Sequence, residues 1–444
     1  MKPGKSDGFD GLTTDYFLNG SPLLSEYMSC LFTCMLSHCF IPTSFSVSTM
    51  VPIPKGANKD LTNLKNYRGI ALSSLISKLF DNCIIFSNSY IFKSDDLQFA
   101  YKKNTSTVQC VSIINEVINY YVNNNSIIYM CMLDASKAFD RVNLLTLFNK
   151  LYHKGLCPFY LRLLMILYKE QKMRVRWNTT VGEIFTVSNG VKQGGVLSPL
   201  LFSLYLDNLL SQLRNLGIGC HMNGMFAGAF IYADDITILA PSCYALKSML
   251  RVCEEYALSH DILFNSLKTK CMFFNRSSLL LKPPPLYFLK TRIKFVNDCV
   301  LLGMHISSDL SDKNVLHAVH KFNRKSNELR YDFHLLPCDV KSRLFTSYCL
   351  DAYGSQIWNF GSNMVDPFYV AWRKMVRLLW NLPNKSHCNL LPCINDSLPI
   401  GIALEKRIKF LWASLNSSNE VVKLITLSSI KTDRSVLGDN YRYL

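Results

Sequence analysis

Residues 229–239 read AFIYADDITIL and residues 130–142 read MCMLDASKAFDRV. In the first stretch apolar residues flank Asp234 and Asp235 on both sides, the pattern of two strands joined at a tight turn. In the second an apolar strand runs straight into Asp134, and a turn of small residues follows. Carboxylates among apolar strands are costly unless paired or bound to a cation, and adjacent aspartates repel each other. Magnesium suits such a place, because it takes a few carboxylates and completes its octahedron with water and phosphate oxygens. Two such ions, roughly 3.5–4 Å apart, can activate a 3′-hydroxyl and stabilise a leaving pyrophosphate. Phosphoryl transfer asks little beyond positioning and charge neutralisation. A lone Asp-Asp is more often the cap of an ordinary hairpin turn. Two aspartate-ended apolar strands in one chain weaken that reading.

Outward from these segments, hydrophobic periodicity predicts alternating helices and strands. Residues 23–40 read as a helix stopped before Pro42, and 47–54 (VSTMVPIP) as a strand with proline at its end. Residues 105–122 read as a helix leading into the strand Ile127 to Leu133. Residues 143–170 are helical with a break near Gly155 and Pro158, and 173–187 alternate like a hairpin. Helices are expected at 199–214 and 243–260, and Pro283-Pro284-Pro285 marks a loop or stiff connector. After Gly303 the pattern turns helical, with Val315, Val319, Phe322, Ser326 and Leu329 on one face.

The chain has 444 residues, too many for one simple core, and 49% are hydrophobic, which excludes global disorder. Its 48 Lys and Arg against 32 Asp and Glu leave a formal charge of +16. That surplus favours a polyanionic partner, nucleic acid or an anionic membrane. No apolar run approaches the ~20 residues of a membrane span, so no membrane role is expected. Sixteen cysteines form no C-x-x-C pair, and Cys388 and Cys393 lie near His387 without completing a zinc ligand set. They read as the buried thiols of an intracellular protein.

At this point the sequence resembles the reverse transcriptases of non-LTR (LINE-type, jockey-like) retrotransposons, over nearly its whole length and in order. KPGKSDGFDGL resembles the segment upstream of the fingers, and VPIPKG and NYRGIALSSLISKLFD the two fingers motifs. LQFAYKKNTST resembles the next segment, and DASKAFDRV, GVKQGGVLSPLLF and YADD the three central palm motifs. FNSLKTKCMFF resembles the motif after them, VLLGMHIS the primer-contacting hairpin, and SHCNLLPCINDSLPI a stretch beyond the polymerase. YADD alone is weak; the ordered set is specific.

The resemblance implies an α+β right-hand polymerase with fingers, palm and helical thumb. Expected divisions are 1–125 for an N-terminal extension and fingers, 126–305 for the palm, and 306–444 for thumb and C-terminal extension. It implies an RNA-directed DNA polymerase working with two Mg2+ ions (Mn2+ as a substitute), an RNA template, a DNA primer and deoxynucleoside triphosphates, in cytoplasm and nucleus. Asp134, Asp234 and Asp235 take its metal-binding positions. Lys55 and Arg68 fall where fingers residues meet the triphosphate, which suits a point charge and a rigid donor fork. Phe139 takes the position of a bulky gate beneath the sugar, Gln193 and Gly194 line nucleotide and template, and Lys268 matches the lysine that protonates pyrophosphate. For each there is a plainer reading: a surface ion pair for Arg68, a core ring for Phe139, a solvated lysine for Lys268. Gly69 stands where that family usually has proline, Ala100 where it has glycine, and Leu301 where it has an aromatic residue. An intact element also encodes an endonuclease upstream, so the chain is expected to be a fragment. The rival expectations are a catalytically inactive RNA/DNA-binding remnant, a mobile-intron type enzyme and a generic basic interaction protein.

Overall fold

A computed structural model describes residues 11–56, 59–276, 282–311, 313–350, 353–359, 365–395, 399–432 and 435–443. Most of KPGKSDGFDGL lies outside the described residues.

The two aspartate-bearing segments are neighbours in a five-stranded sheet. Its strands run in the order Lys294–Phe295, Lys270–Phe274, Ile128–Asp134, Asp235–Ala240 and Ala229–Tyr232. The central strand begins with four fully buried residues, Ile128 to Cys131, rather than alternating. A strand covered on both faces reads as such a continuous apolar run. Helices Thr107–Asn123 and Cys243–Ser259 pack against it. The first opens on Ser106, whose Oγ accepts from Gln109 N at 3.1 Å, and the second on Ser242, whose Oγ accepts from Ala245 N at 3.1 Å. Serine caps of this kind contribute ~1 kcal/mol each.

A second sheet holds Tyr67–Ser73, Val47–Pro54, Lys172–Trp177 and Thr180–Val181 in that order, with Phe185–Thr186 also on Lys172–Trp177. The hairpin expected over 173–187 is therefore part of a larger sheet. In it Pro52 faces Gly69. A Cβ on Gly69 would meet the Met50 sulfur at 2.7 Å, so this departure from proline goes with the neighbouring methionine. Asp81, on the helix Leu75–Ser87, joins this sheet to the segment after it. Burial pushes its carboxyl up to about 7, opposed by Lys192 and by the amides of Leu197 and Val196.

The C-terminal part follows two packing fates. Val315, Phe322, Phe345, Phe368, Trp372 and Val376 form a separate apolar cluster, built from helices that include Lys313–Asp332 and Asp366–Leu379. Val421, Val422 and Ile425 of the helix Glu420–Lys431 instead join the main core. There the buried Glu116 accepts from Ser435 Oγ at 2.7 Å and from Leu437 N at 3.0 Å. The expected unit 306–444 is thus divided between two cores. Nothing local in the sequence announces a contact between residues 319 positions apart.

Candidate active site

Strand register sets the site. Asp235 lies opposite Asp134 on one side and opposite Tyr232 on the other, leaving Ala233 and Asp234 as a two-residue turn. The three carboxylates therefore gather at one end of the central sheet. Loss of hydration raises the Asp234 carboxyl, and Asp134 raises it further, while Arg68 and Lys268 pull it down. Asp235 is pushed up to about 6, by loss of hydration first and then by Asp234 and Asp134, although its side chain keeps solvent contact. Crowded acids whose ionised form is disfavoured are stabilised by a cation.

The cation beside them is Lys268. The Asp134 carbonyl accepts from Asn265 N at 2.8 Å, and Ser136 N donates to Leu263 O at 2.7 Å, which docks the segment 263–268 on the strand end. That places Lys268 Nζ 3.2 Å from Asp134 Oδ2, with both side chains well exposed. Among the described residues no three His, Cys, Asp or Glu side chains already sit in metal-ligating geometry. The donor set still fits a hard divalent ion: two carboxylates on paired strand ends and a third on the adjoining turn, two of the three with raised pKa.

Phe139 is half-buried and stacks on Phe202, ring centroids 4.5 Å apart and planes at 21°. Tyr101 meets its edge at 6.4 Å and 87°. Gln193 Nε2 donates to Asp140 Oδ1 at 3.3 Å, and the Gln193 carbonyl accepts from Ala71 N at 2.6 Å. Lys55 Nζ donates to the Lys65 carbonyl at 2.8 Å and lies within electrostatic reach of Asp140. Arg68 acts on both Asp234 and Tyr101 through its charge.

Gly194 is required where it stands. Its φ of +103° is a glycine conformation, and a Cβ there would lie 2.6 Å from the Ala71 carbonyl oxygen. Gly194→Ala is expected to cost ~1–3 kcal/mol and to loosen the packing of this loop on the strand Tyr67–Ser73. The readouts are a lower melting temperature together with a higher nucleotide KM. An unchanged pair of values would show that the loop yields without consequence.

Sequence reading passed over two residues in LQFAYKKNTST. Burial pushes the Tyr101 phenol up to about 12, with Asp234 and Tyr232 adding and Arg68 opposing, so it belongs to the site. Gln98 is fully buried and donates nothing from Nε2 among the described residues. For Tyr101 the polar run after it was the available signal; its positive φ (62°) shows only in the structure. Ala100, with no positive φ, fits in place of glycine.

Residues 53–320 match the model of the reverse transcriptase (RNA-dependent DNA polymerase) family. The chain belongs to that family. It is 23% identical to the RNA-directed DNA polymerase of the mobile element jockey from Drosophila funebris, over 90% of this chain and 45% of that protein. It is 27% identical to the Pol polyprotein of retrotransposable element R2 from Nasonia vitripennis, over 55% of this chain and 23% of that protein. The chain spans less than half the length of either relative. Apo telomerase from Candida tropicalis aligns at 13% identity with a TM-score of 0.42, over 95% of this chain and 74% of that one. The likeness to non-LTR retrotransposon reverse transcriptases drawn from the motif order therefore holds, and with it the α+β right-hand polymerase class. Reverse transcriptases work with divalent metal ions and nucleic acid. Among the described residues no helix is long and apolar enough to cross a membrane.

Proposed function

We propose that this chain is an RNA-directed DNA polymerase that copies retrotransposon RNA into DNA. The observation that carries the reading is the register that sets Asp134 against Asp235 beside the Ala233–Asp234 turn. Asp134, Asp234 and Asp235 would hold two Mg2+ ions, with Mn2+ as a substitute. When bound, such a pair activates the primer 3′-hydroxyl and stabilises charge on the leaving pyrophosphate. The chain's own residues do the positioning. Arg68 offers its donor fork to triphosphate oxygens, and Lys55 adds a point charge beside it. Gln193 and Gly194 line the nucleotide and template. Phe139, held flat on Phe202, lies beneath the sugar and leaves no room for a 2′-hydroxyl. Lys268 carries a proton on Nζ that pyrophosphate can take. The basic surplus of the chain grips RNA template and DNA primer through their phosphates. The proposed divisions are 1–125 for an N-terminal extension and fingers, 126–305 for the palm and 306–444 for thumb and C-terminal extension, with Lys172–Trp177 completing the fingers sheet and Glu420–Lys431 packing into the main core; the work is set in cytoplasm and nucleus.

The test is direct: purified protein, a DNA primer annealed to an RNA template, Mg2+ and deoxynucleotides. Templated extension is expected. Primer–template binding without extension would favour the inactive remnant instead.

Arg68 gives a sharper check. Its side chain is exposed and makes no hydrogen bond or ion pair among the described residues, so its guanidinium is open to a ligand. Arg68→Ala should lower kcat/KM for deoxynucleotides about tenfold or more, the equivalent of one lost charge-assisted contact. Template affinity should stay nearly constant. Unchanged kinetics would return Arg68 to the surface.

A further inference from the structure

Between Tyr232 and Asp235 the chain must reverse in two residues, and Ala233 does so with φ +58°. That is the left-handed region, which a residue with a Cβ avoids unless its surroundings hold it there. Ala233 is buried, so solvent does not hold it. What meets it is Gln98: the Ala233 N–H donates to Gln98 Oε1 at 3.3 Å.

The rest of Gln98 is fixed. Phe99 N donates to Ile231 O at 2.8 Å and Ile231 N to Leu97 O at 2.9 Å, stitching this segment along the strand that leads into the turn. Its own N–H donates to Asp95 O at 2.9 Å. Asp95 Oδ1 and Oδ2 in turn accept from Arg214 Nη2 at 2.9 and 2.8 Å, and the Asp95 N–H donates to Asp207 Oδ1 at 3.1 Å. The amide therefore reaches the turn from an anchored base.

The acceptor is the part of the amide in use. Oε1 accepts from Ala233 N at 3.3 Å and from Ala100 N at 3.1 Å, while Nε2 is buried without a partner among the described residues. A side chain of the same shape without that oxygen would leave two buried backbone N–H groups unpaired, one of them in the turn.

We propose that Gln98 is the positioning residue that holds Ala233 in its left-handed conformation and so sets the directions of the Asp234 and Asp235 carboxylates. It acts through the turn and touches no substrate. The proposal rests on the polymerase reading for its consequence in catalysis, though not for the contact itself.

The test pairs Gln98→Met, which keeps the shape and removes the acceptor, with Ala233→Gly, which adopts φ +58° freely. Assayed well below the variant's melting temperature, which should fall because Ala233 N–H and Ala100 N–H lose their acceptor, Gln98→Met should lower kcat about tenfold or more while the deoxynucleotide KM stays near wild type. Adding Ala233→Gly to Gln98→Met should recover most of the loss relative to Ala233→Gly alone. Hydrogen exchange on the free protein should show the peptide over 229–240 opening faster in Gln98→Met, with the helix Thr107–Asn123 unchanged. If Gln98→Met does not fold, Gln98→Asn, which withdraws the amide by one methylene, serves the same comparison. Failure of glycine to rescue, a fall in melting temperature that accounts for the lost activity, or an unchanged exchange pattern would each overturn the proposal. Absence of extension by the wild type would sink the polymerase reading alone, since the exchange measurement decides the contact without it.

Discussion

Asp234→Asn, and likewise Asp134→Asn, is expected to reduce primer extension by about a thousandfold or more, with fold and primer–template binding retained. The reason is local. Asp134 and Asp235 are register partners, and Asp234 occupies the turn beside them. Replacing one carboxylate by an amide removes a charged donor from a hard divalent ion, and the loss is several kcal/mol of transition-state stabilisation. A loss of ~4 kcal/mol corresponds to a thousandfold. The same change relieves repulsion in the free protein, because after loss of hydration the charges of Asp234 and Asp134 add to the rise that takes the Asp235 carboxyl to about 6. The melting temperature of the metal-free variant should therefore stay level or rise. Extension near wild-type rates by either variant would remove the aspartates from the chemistry.

Phe139→Val should turn the protein towards ribonucleotides. The ring is half-buried and held by Phe202 at 4.5 Å, with Tyr101 against its edge. A ring clamped in this way excludes a 2′-hydroxyl by shape, and such exclusion acts on the wrong substrate while leaving the right one nearly untouched. Ribonucleotide use should rise at least tenfold relative to deoxynucleotide use, the range that one steric contact supplies. If Phe139 serves only the core, the cavity costs ~2–4 kcal/mol and both sugars lose alike. Both nucleotide types, run side by side with a melting curve, separate the outcomes: a parallel fall with a lower melting temperature contradicts the gate.

The strands that end in Asp134 and flank Asp234-Asp235 were legible because uninterrupted apolar runs leave few alternatives to a buried sheet. The expected strand 47–54 coincides with Val47–Pro54, and the expected break near Gly155 and Pro158 separates helices Leu144–His153 and Pro158–Lys169. What periodicity does not carry is register. It could not say that Asp235 faces Asp134, or that Lys268, 134 positions away, would seat its ammonium on the same carboxylate. Gln98 was hidden for the same reason. A buried glutamine in an apolar segment resembles an accident until the left-handed Ala233 appears at its amide. The docking of Ser435 on Glu116 also left no trace, since both stand in ordinary helical or loop contexts. Lys55 and Arg68 were found through motif order; that the loop of Gln193 and Gly194 packs on Ala71, while Val191 N donates to the Phe139 carbonyl, was not legible there.

The central claim is that Asp134, Asp234 and Asp235 together collect a pair of divalent ions for nucleotidyl transfer. Electron paramagnetic resonance of Mn2+ in a complex with RNA template, dideoxy-terminated primer and the next deoxynucleotide reads this most directly. The account predicts a spin-coupled Mn2+ pair in the wild type, and its loss in Asp234→Asn with the nucleic acid still bound. Uncoupled Mn2+ spectra, identical in the wild type and Asp234→Asn, would contradict it.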